Sequence, residues 1–288
     1  MALVLETTVP CGQAEDGAPQ KVVQGRRPFQ TRIAFSRDGS QLLTIGNAVR
    51  LIDVDSGQVK QAWSLKPDVF VSRAEFVPGP VSKFVAGTHD GAALVWSDSW
   101  DEPEFRFAKQ EGMLTDLAVS HDGSHLASCY NVFREGKPGT GTVVLWNLKT
   151  GELLQKATVE ERSIYSVRFA PDGRDLAYTI DASPNGDSTL EIRDVASWKS
   201  VESIGFGPGF SQRLVWSGDG KKIAVAGGEC VPVGPNGCRT EGRLWLAELG
   251  AGKPAELVDS NPLEYFRDAD SVGAGDRFVV CTTVAKQF

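Results

Sequence analysis

Phe169-Ala170-Pro171-Asp172-Gly173 is the stretch from which the fold can be read. It has the composition of a tight turn: Pro presets a negative φ, Asp bonds its own backbone, and Gly accepts positive φ. Before it, Ile164-Tyr165-Ser166-Val167-Arg168-Phe169 alternates, as a strand with one buried face does. After it, Leu176-Ala177-Tyr178-Thr179-Ile180 forms a second apolar run, and the polar residues 183–188 form a loop. Leu190-Glu191-Ile192-Arg193-Asp194-Val195 and Ser200-Val201-Glu202-Ser203-Ile204 complete a set of four short strands.

The same phrase recurs as Phe35-Ser36-Arg37-Asp38-Gly39, Val119-Ser120-His121-Asp122-Gly123 and Trp216-Ser217-Gly218-Asp219-Gly220. Degraded copies stand at Phe76-Val77-Pro78-Gly79-Pro80 and Val272-Gly273-Ala274-Gly275-Asp276. The interval is roughly 40 to 55 residues, the period of β-propeller blades rather than of helical solenoids. A fixed repeat over nearly all of the 288 residues favours one domain, because a blade cannot bury both its faces alone. The expectation is an all-β, single β-propeller domain over residues 1–288, built of four-stranded antiparallel blades. Repeats begin near residues 31, 72, 115, 164, 212 and 266.

The third strands align across repeats as Val49-Arg50-Leu51-Ile52-Asp53-Val54, Ala93-Leu94-Val95-Trp96-Ser97, Val143-Val144-Leu145-Trp146-Asn147-Leu148, the 190–195 strand and Arg243-Leu244-Trp245-Leu246. Trp96, Trp146 and Trp245 share one register, and turn residues follow, as in Asp55-Ser56-Gly57 and Lys149-Thr150-Gly151. This pattern closely resembles the WD-repeat (tryptophan–aspartate, forty-residue) family of β-propellers, over about residues 20 to 288. The Gly-His pair that usually opens such a repeat is absent, since His89, His121 and His125 all fall elsewhere. The chain therefore reads as a divergent, bacterial-style member whose blades rest on apolar packing and turn chemistry.

Five repeats are complete and the sixth has two strands. Ala2-Leu3-Val4-Leu5-Glu6-Thr7-Thr8-Val9 and Lys21-Val22-Val23-Gln24 belong to no repeat. Residues 1–30 thus supply candidate third and fourth strands, and six blades closed by pairing of N- and C-terminal strands is the favoured ring. A seven-bladed or truncated ring is the alternative. Closure removes exposed sheet edges.

Net charge is −7, which argues against a general nucleic-acid surface. No apolar run has bilayer-spanning length, and the N-terminus carries no basic leader, so the expectation is a cytoplasmic, monomeric ring without a membrane or nucleic-acid partner. Cys129 and Cys281 lie in apolar strand patterns; Cys230 and Cys238 bracket one loop and read as two reduced thiols that can pair on oxidation. Two cysteines without a histidine do not make a zinc site, so no metal or other cofactor is expected.

Segments linking second and third strands are short in the first two repeats, residues 46–48 and 89–91, and long in the next three, residues 130–141, 181–188 and 229–242. Excess loop on one face marks a candidate binding face. Phe133 and Arg134 stand in the third repeat's loop, Arg239 closes the fifth's, and the connections between blades bring Arg26, Arg27, Phe210 and Arg213. Aromatics and arginine are the types enriched at binding hot spots. No histidine lies within reach of a nucleophile elbow, and no Gly-rich loop precedes a helix, so no catalytic residues are assigned. The expected function is a non-enzymatic scaffold that binds a protein or peptide on one face of the propeller. The alternatives are an enzyme or small-ligand binder using the central channel, and a sensor or accessory domain of a larger protein.

Overall fold

A computed structural model describes residues 32–45, 48–64, 70–79, 83–97, 102–135, 137–182, 187–233, 238–261, 264–272 and 277–284. The candidate closing strands at residues 2–9 and 21–24, and Arg26 and Arg27, lie outside them. All regular structure among the described residues is β.

The first blade holds β1 (Arg32–Phe35), β2 (Gln41–Ile45), β3 (Ala48–Asp53) and β4 (Val59–Ser64), paired in that order. The second holds β5 (Val71–Val77), β6 (Lys83–Thr88), β7 (Ala93–Trp96) and β8 (Phe105–Arg106). The third holds β9 (Met113–Val119), β10 (His125–Arg134), β11 (Lys137–Asn147) and β12 (Leu153–Val159). In the fourth the first strand is split into β13 (Arg162–Ser163) and β14 (Val167–Phe169), followed by β15 (Asp175–Ala182), β16 (Asp187–Asp194) and β17 (Ser200–Pro208). The fifth holds β18 (Phe210–Trp216), β19 (Lys222–Pro232), β20 (Cys238–Glu248) and β21 (Glu256–Asn261). β22 (Glu264–Val272) and β23 (Arg277–Val284) pair with each other. First strands of successive blades lie side by side, β1 on β5, β5 on β9, β9 on β14, β14 on β18 and β18 on β22.

The repeated turn follows from its residues. Gly39, Gly123, Gly173 and Gly220 have φ between 69° and 75°. In three copies the Asp carboxylate accepts the hydroxyl two residues before it, from Ser36, Ser120 and Ser217, at 2.6–2.7 Å. The same serine oxygens accept the N–H groups of Gln41, His125 and Lys222 at 2.9 Å. The fourth copy has Ala170 in the serine position and keeps only the Asp172 bond to the Arg174 N–H, at 3.0 Å.

Successive residues of one strand feed two different cores, as the period of two requires. Phe84, Ala86 and Trp96 pack with Leu43, Val49 and Trp63 of the first blade, while Val85 and Val95 pack with Leu114, Leu117 and Trp146 of the third. Ala127, Cys129 and Leu145 turn to Ile164, Val167 and Tyr178 of the fourth blade, whose Ile192 and Phe206 meet Leu214 and Trp245 of the fifth. Second strands such as β6 and β10 therefore bury apolar side chains on both faces. Each aligned tryptophan sits against a phenylalanine: Trp96 on Phe84 at 5.4 Å, Trp146 on Phe107 at 5.4 Å, Trp245 on Phe206 at 5.0 Å. The Trp146 indole N–H donates to Ser128 Oγ at 2.8 Å.

β1 differs from the first strands of the other blades in burial. Ile33 is 61% exposed, although its counterparts Ala74, Leu117, Val167 and Leu214 are all at 1% or below. Phe35, on the same face of β1, is 56% exposed.

Candidate partner-binding face and axial ion-pair network

The long segments of the third and fifth blades are ladder, not loop. β10 and β11 stay paired from His125↔Asn147 out to Arg134↔Lys137. β19 and β20 stay paired out to Pro232↔Cys238. Their Gly and Pro content reads as loop by composition. In the structure these glycines serve close packing. A Cβ on Gly141 would stand 2.8 Å from Ile164 Cγ1 and 3.0 Å from the Ile164 nitrogen; one on Gly139 would stand 3.0 Å from Ser163 Oγ. The hairpin therefore lies directly on the first strand of the next blade, and a parallel bridge, Thr140↔Arg162, joins the two sheets there. Gly227 and Gly228 likewise let β19 lie under Phe210.

The two hairpins project on the side where first strands begin. Phe133 stands near the tip of the β10–β11 hairpin and is 56% exposed. Beside it Arg134 pairs with Glu111, which precedes β9, at 3.2 Å, with both side chains in solvent. Arg239 lies in β20 next to Glu241, a half-exposed pair; Arg239 first and then Arg243 hold the Glu241 carboxyl below its usual range. Phe210 opens β18 and is half-buried over Gly228. Arg213 is a strand residue rather than part of a connection, and its guanidinium turns toward Asp116. Phe70, just before β5, and Val233, just after β19, are also exposed on this side.

Cys230 is disulfide-bonded. The register places Pro232 opposite Cys238 in the same hairpin, so the reading of two free thiols does not hold for Cys230. Cys129 is free and buried, and burial pushes its thiol far above the ordinary range.

Where the first strands meet, charged side chains of four blades converge. Asp116 of β9 is fully buried. Its Oδ2 accepts Arg168 Nη1 at 2.8 Å, Ser166 Oγ at 3.0 Å and the Val167 N–H at 3.2 Å. Arg73 Nε stands 3.0 Å from Oδ1, and Arg213 Nη1 3.8 Å. Glu75 lies 3.8 Å from Arg168 and 4.0 Å from Arg73, and its other oxygen accepts the Val119 N–H at 3.1 Å. Ser166 Oγ also accepts the Leu214 N–H at 3.0 Å. A buried ion is costly unless paired and hydrogen-bonded; Asp116 Oδ2 has both, while Oδ1 is held by the charges of Arg73 and Arg213 without a hydrogen bond. The signal was present in the sequence as charges inside apolar first strands, one to three places before the residue that opens the turn.

Other polar groups are used locally. His125 Nδ1 contacts Ser124 Oγ at 2.6 Å, beside the turn whose Asp122 is held down to about 2, by Ser120 first and then Ser124. No group of three or more His, Cys, Asp or Glu side chains is placed to hold a metal ion among the described residues. None of these residues forms a helix long and apolar enough to cross a membrane.

No protein-family model matches the chain. It is similar to the protein LST8 homologues of Drosophila melanogaster, 24% identical over 196 residues, and Drosophila pseudoobscura pseudoobscura, 24% over 197. Each match covers 64% of this chain and 58% of the relative, so the chain spans under two thirds of the relatives' length. Among solved structures it is similar to Kuenenia stuttgartiensis hydrazine synthase, with a TM-score of 0.67 and 17% identity over 84% of this chain and 68% of that one. Together with the repeated turn, the aligned tryptophans and the four-stranded sheets, these likenesses define a WD40-like β-propeller. Its relation to the LST8 homologues is distant.

Proposed function

We propose that this chain is a non-enzymatic WD-repeat scaffold that binds a protein or peptide on the face carrying the β10–β11 and β19–β20 hairpins. The observation that carries this reading is the exposed Phe133 held on a hairpin that is itself bonded to the next blade. An aromatic fixed in place before binding loses little entropy when a partner covers it. Arg134, Arg239 and Phe210 extend the contact, and Arg26 and Arg27 belong to the proposal on sequence grounds. The distant likeness to the LST8 homologues is in keeping with a scaffold role. Where the first strands meet, Asp116 is engaged by Arg168 on one oxygen and Arg73 on the other, which speaks against that carboxylate holding a ligand.

The proposal includes a six-bladed ring, closed by N-terminal strands that complete the β22–β23 sheet, acting as a cytoplasmic monomer. Exposed Ile33 and Phe35 support closure, since the counterparts of Ile33 in the other blades are covered by a neighbour. The experiment is co-purification of partners from source lysate with wild type and a Phe133→Ala/Arg134→Ala double variant, folding being checked by circular dichroism. Loss of the same partners from the variant is expected; equal recovery would move attention to the rim carrying Asp38, Asp122, Asp172 and Asp219.

A further inference from the structure

Asp181 occupies in β15 the position that Asn131 occupies in β10, five residues beyond the first core leucine of its strand, Leu176 or Leu126. Both reach across to the next blade. The Asn131 amide pairs with Ile164 twice, its Nδ2 donating to the carbonyl and its Oδ1 accepting the N–H, each at 2.8 Å. Asp181 makes the matching pair with Ser211 of the fifth blade: Oδ2 accepts the N–H at 2.7 Å and Oδ1 lies 2.8 Å from Oγ. Ser211 Oγ is in turn 2.6 Å from Thr179 Oγ1. The geometry is shared but the chemistry differs. An amide is neutral at every pH; a carboxylic acid is neutral only while it keeps its proton.

No cation among the described residues offsets the Asp181 charge. From β13, Ser163 stands opposite it in register, and neighbouring Arg162 donates to the Asp187 carbonyl at 3.1 Å. Tyr165, between β13 and β14, feels the Asp181 charge, but its own pKa is raised, chiefly by burial, so it adds no positive charge. From β18 come Ser211 and, two residues on, Arg213, which is turned to Asp116. On the fourth blade Arg168 and Arg193 pair with Asp116 and Glu191, and Asp181 forms no ion pair among the described residues.

We propose that Asp181 makes the junction between the fourth and fifth blades a proton-controlled joint, closed while the carboxyl is protonated and loosened when it ionises. Protonated, Oδ1–H donates to Ser211 Oγ, whose hydroxyl donates on to Thr179, and the junction is neutral and fully bonded. Ionised, Asp181 gives its proton to solvent, the Ser211 hydroxyl turns back to the carboxylate, and an unpaired charge remains in a dry interface. Burial pushes the carboxyl up to about 7, with the Ser211 bonds acting against the rise. In an unfolded chain an Asp titrates near about 3.9. Between these values the folded state holds a proton that the unfolded state lacks. Stability is thus greatest below the lower value, falls as pH rises through the window, and stays low above it.

The test compares thermal melting of the full chain with that of Asp181→Asn from about pH 4.5 to pH 8.5. The expected result is a melting-temperature gap in favour of the Asp181→Asn chain, whose amide stays neutral, that opens by several degrees across the window and then levels off. Ser211→Ala provides a second readout: removing the hydroxyl that both forms of Asp181 use should displace the pH transition. Difference infrared spectroscopy of the wild type should show a protonated carboxyl band that fades through the same window. A gap independent of pH, or no such band at the acid end, would overturn the proposal.

Discussion

Arg73 Nε of the second blade lies 3.0 Å from Asp116 Oδ1 of the third, and both side chains are almost wholly out of water. With Arg168 at 2.8 Å on the other oxygen, one carboxylate ties three blades together. Removing one partner from a buried ion pair leaves uncompensated charge, which costs about 3 to 5 kcal/mol. Asp116→Ala is expected to lose that much in urea denaturation. A loss under about 1 kcal/mol would show that the network is solvated and weak.

The cores between blades should respond differently at one shared tryptophan position. Trp146 is fully buried with its N–H satisfied by Ser128, so Trp146→Ala should cost about 3 to 5 kcal/mol. Ser128→Ala leaves that N–H buried without its partner and should cost about 1 to 3 kcal/mol. Quenching of the Trp146 indole by a polar quencher in the native state would contradict both.

The repeated turn offers a gain and a loss. Ala170→Ser restores the hydroxyl that Ser36, Ser120 and Ser217 provide in the other copies, and should stabilise by about 0.5 to 1.5 kcal/mol. Gly173 has φ of 75° with open space where a Cβ would stand. Gly173→Val should therefore destabilise through backbone strain alone, by about 1 to 3 kcal/mol. Melting curves of the two variants should move in opposite directions.

Ring closure is checked by deletion. Removing residues 1–30 should lower the melting temperature and promote self-association through the face bearing Ile33 and Phe35. An unchanged melt and a monomeric profile in light scattering would argue against closure by these residues.

The blade pattern was legible because it rests on local rules. Turn chemistry at Asp172-Gly173, strand alternation around Val167 and the tryptophan register each need only a short window of sequence. What escaped depends on contacts between blades. Gly139 and Gly141 look like loop formers until Ser163 and Ile164 are placed against them. Arg213 looks like a connection residue until Asp116 of another blade draws it to the axis. Asp181 reads as the start of a loop, and only its depth and its bond to Ser211 set it apart.

The binding face is tested most directly by site-specific photo-crosslinking. A photoreactive residue is placed at position 133, near the hairpin tip, and in a separate chain at position 219, on the turn rim, and each is irradiated in source lysate. The account predicts a discrete adduct from position 133 that an excess of unlabelled wild-type chain suppresses, and none from position 219. Adducts only from position 219, or the same adducts from both, would contradict it.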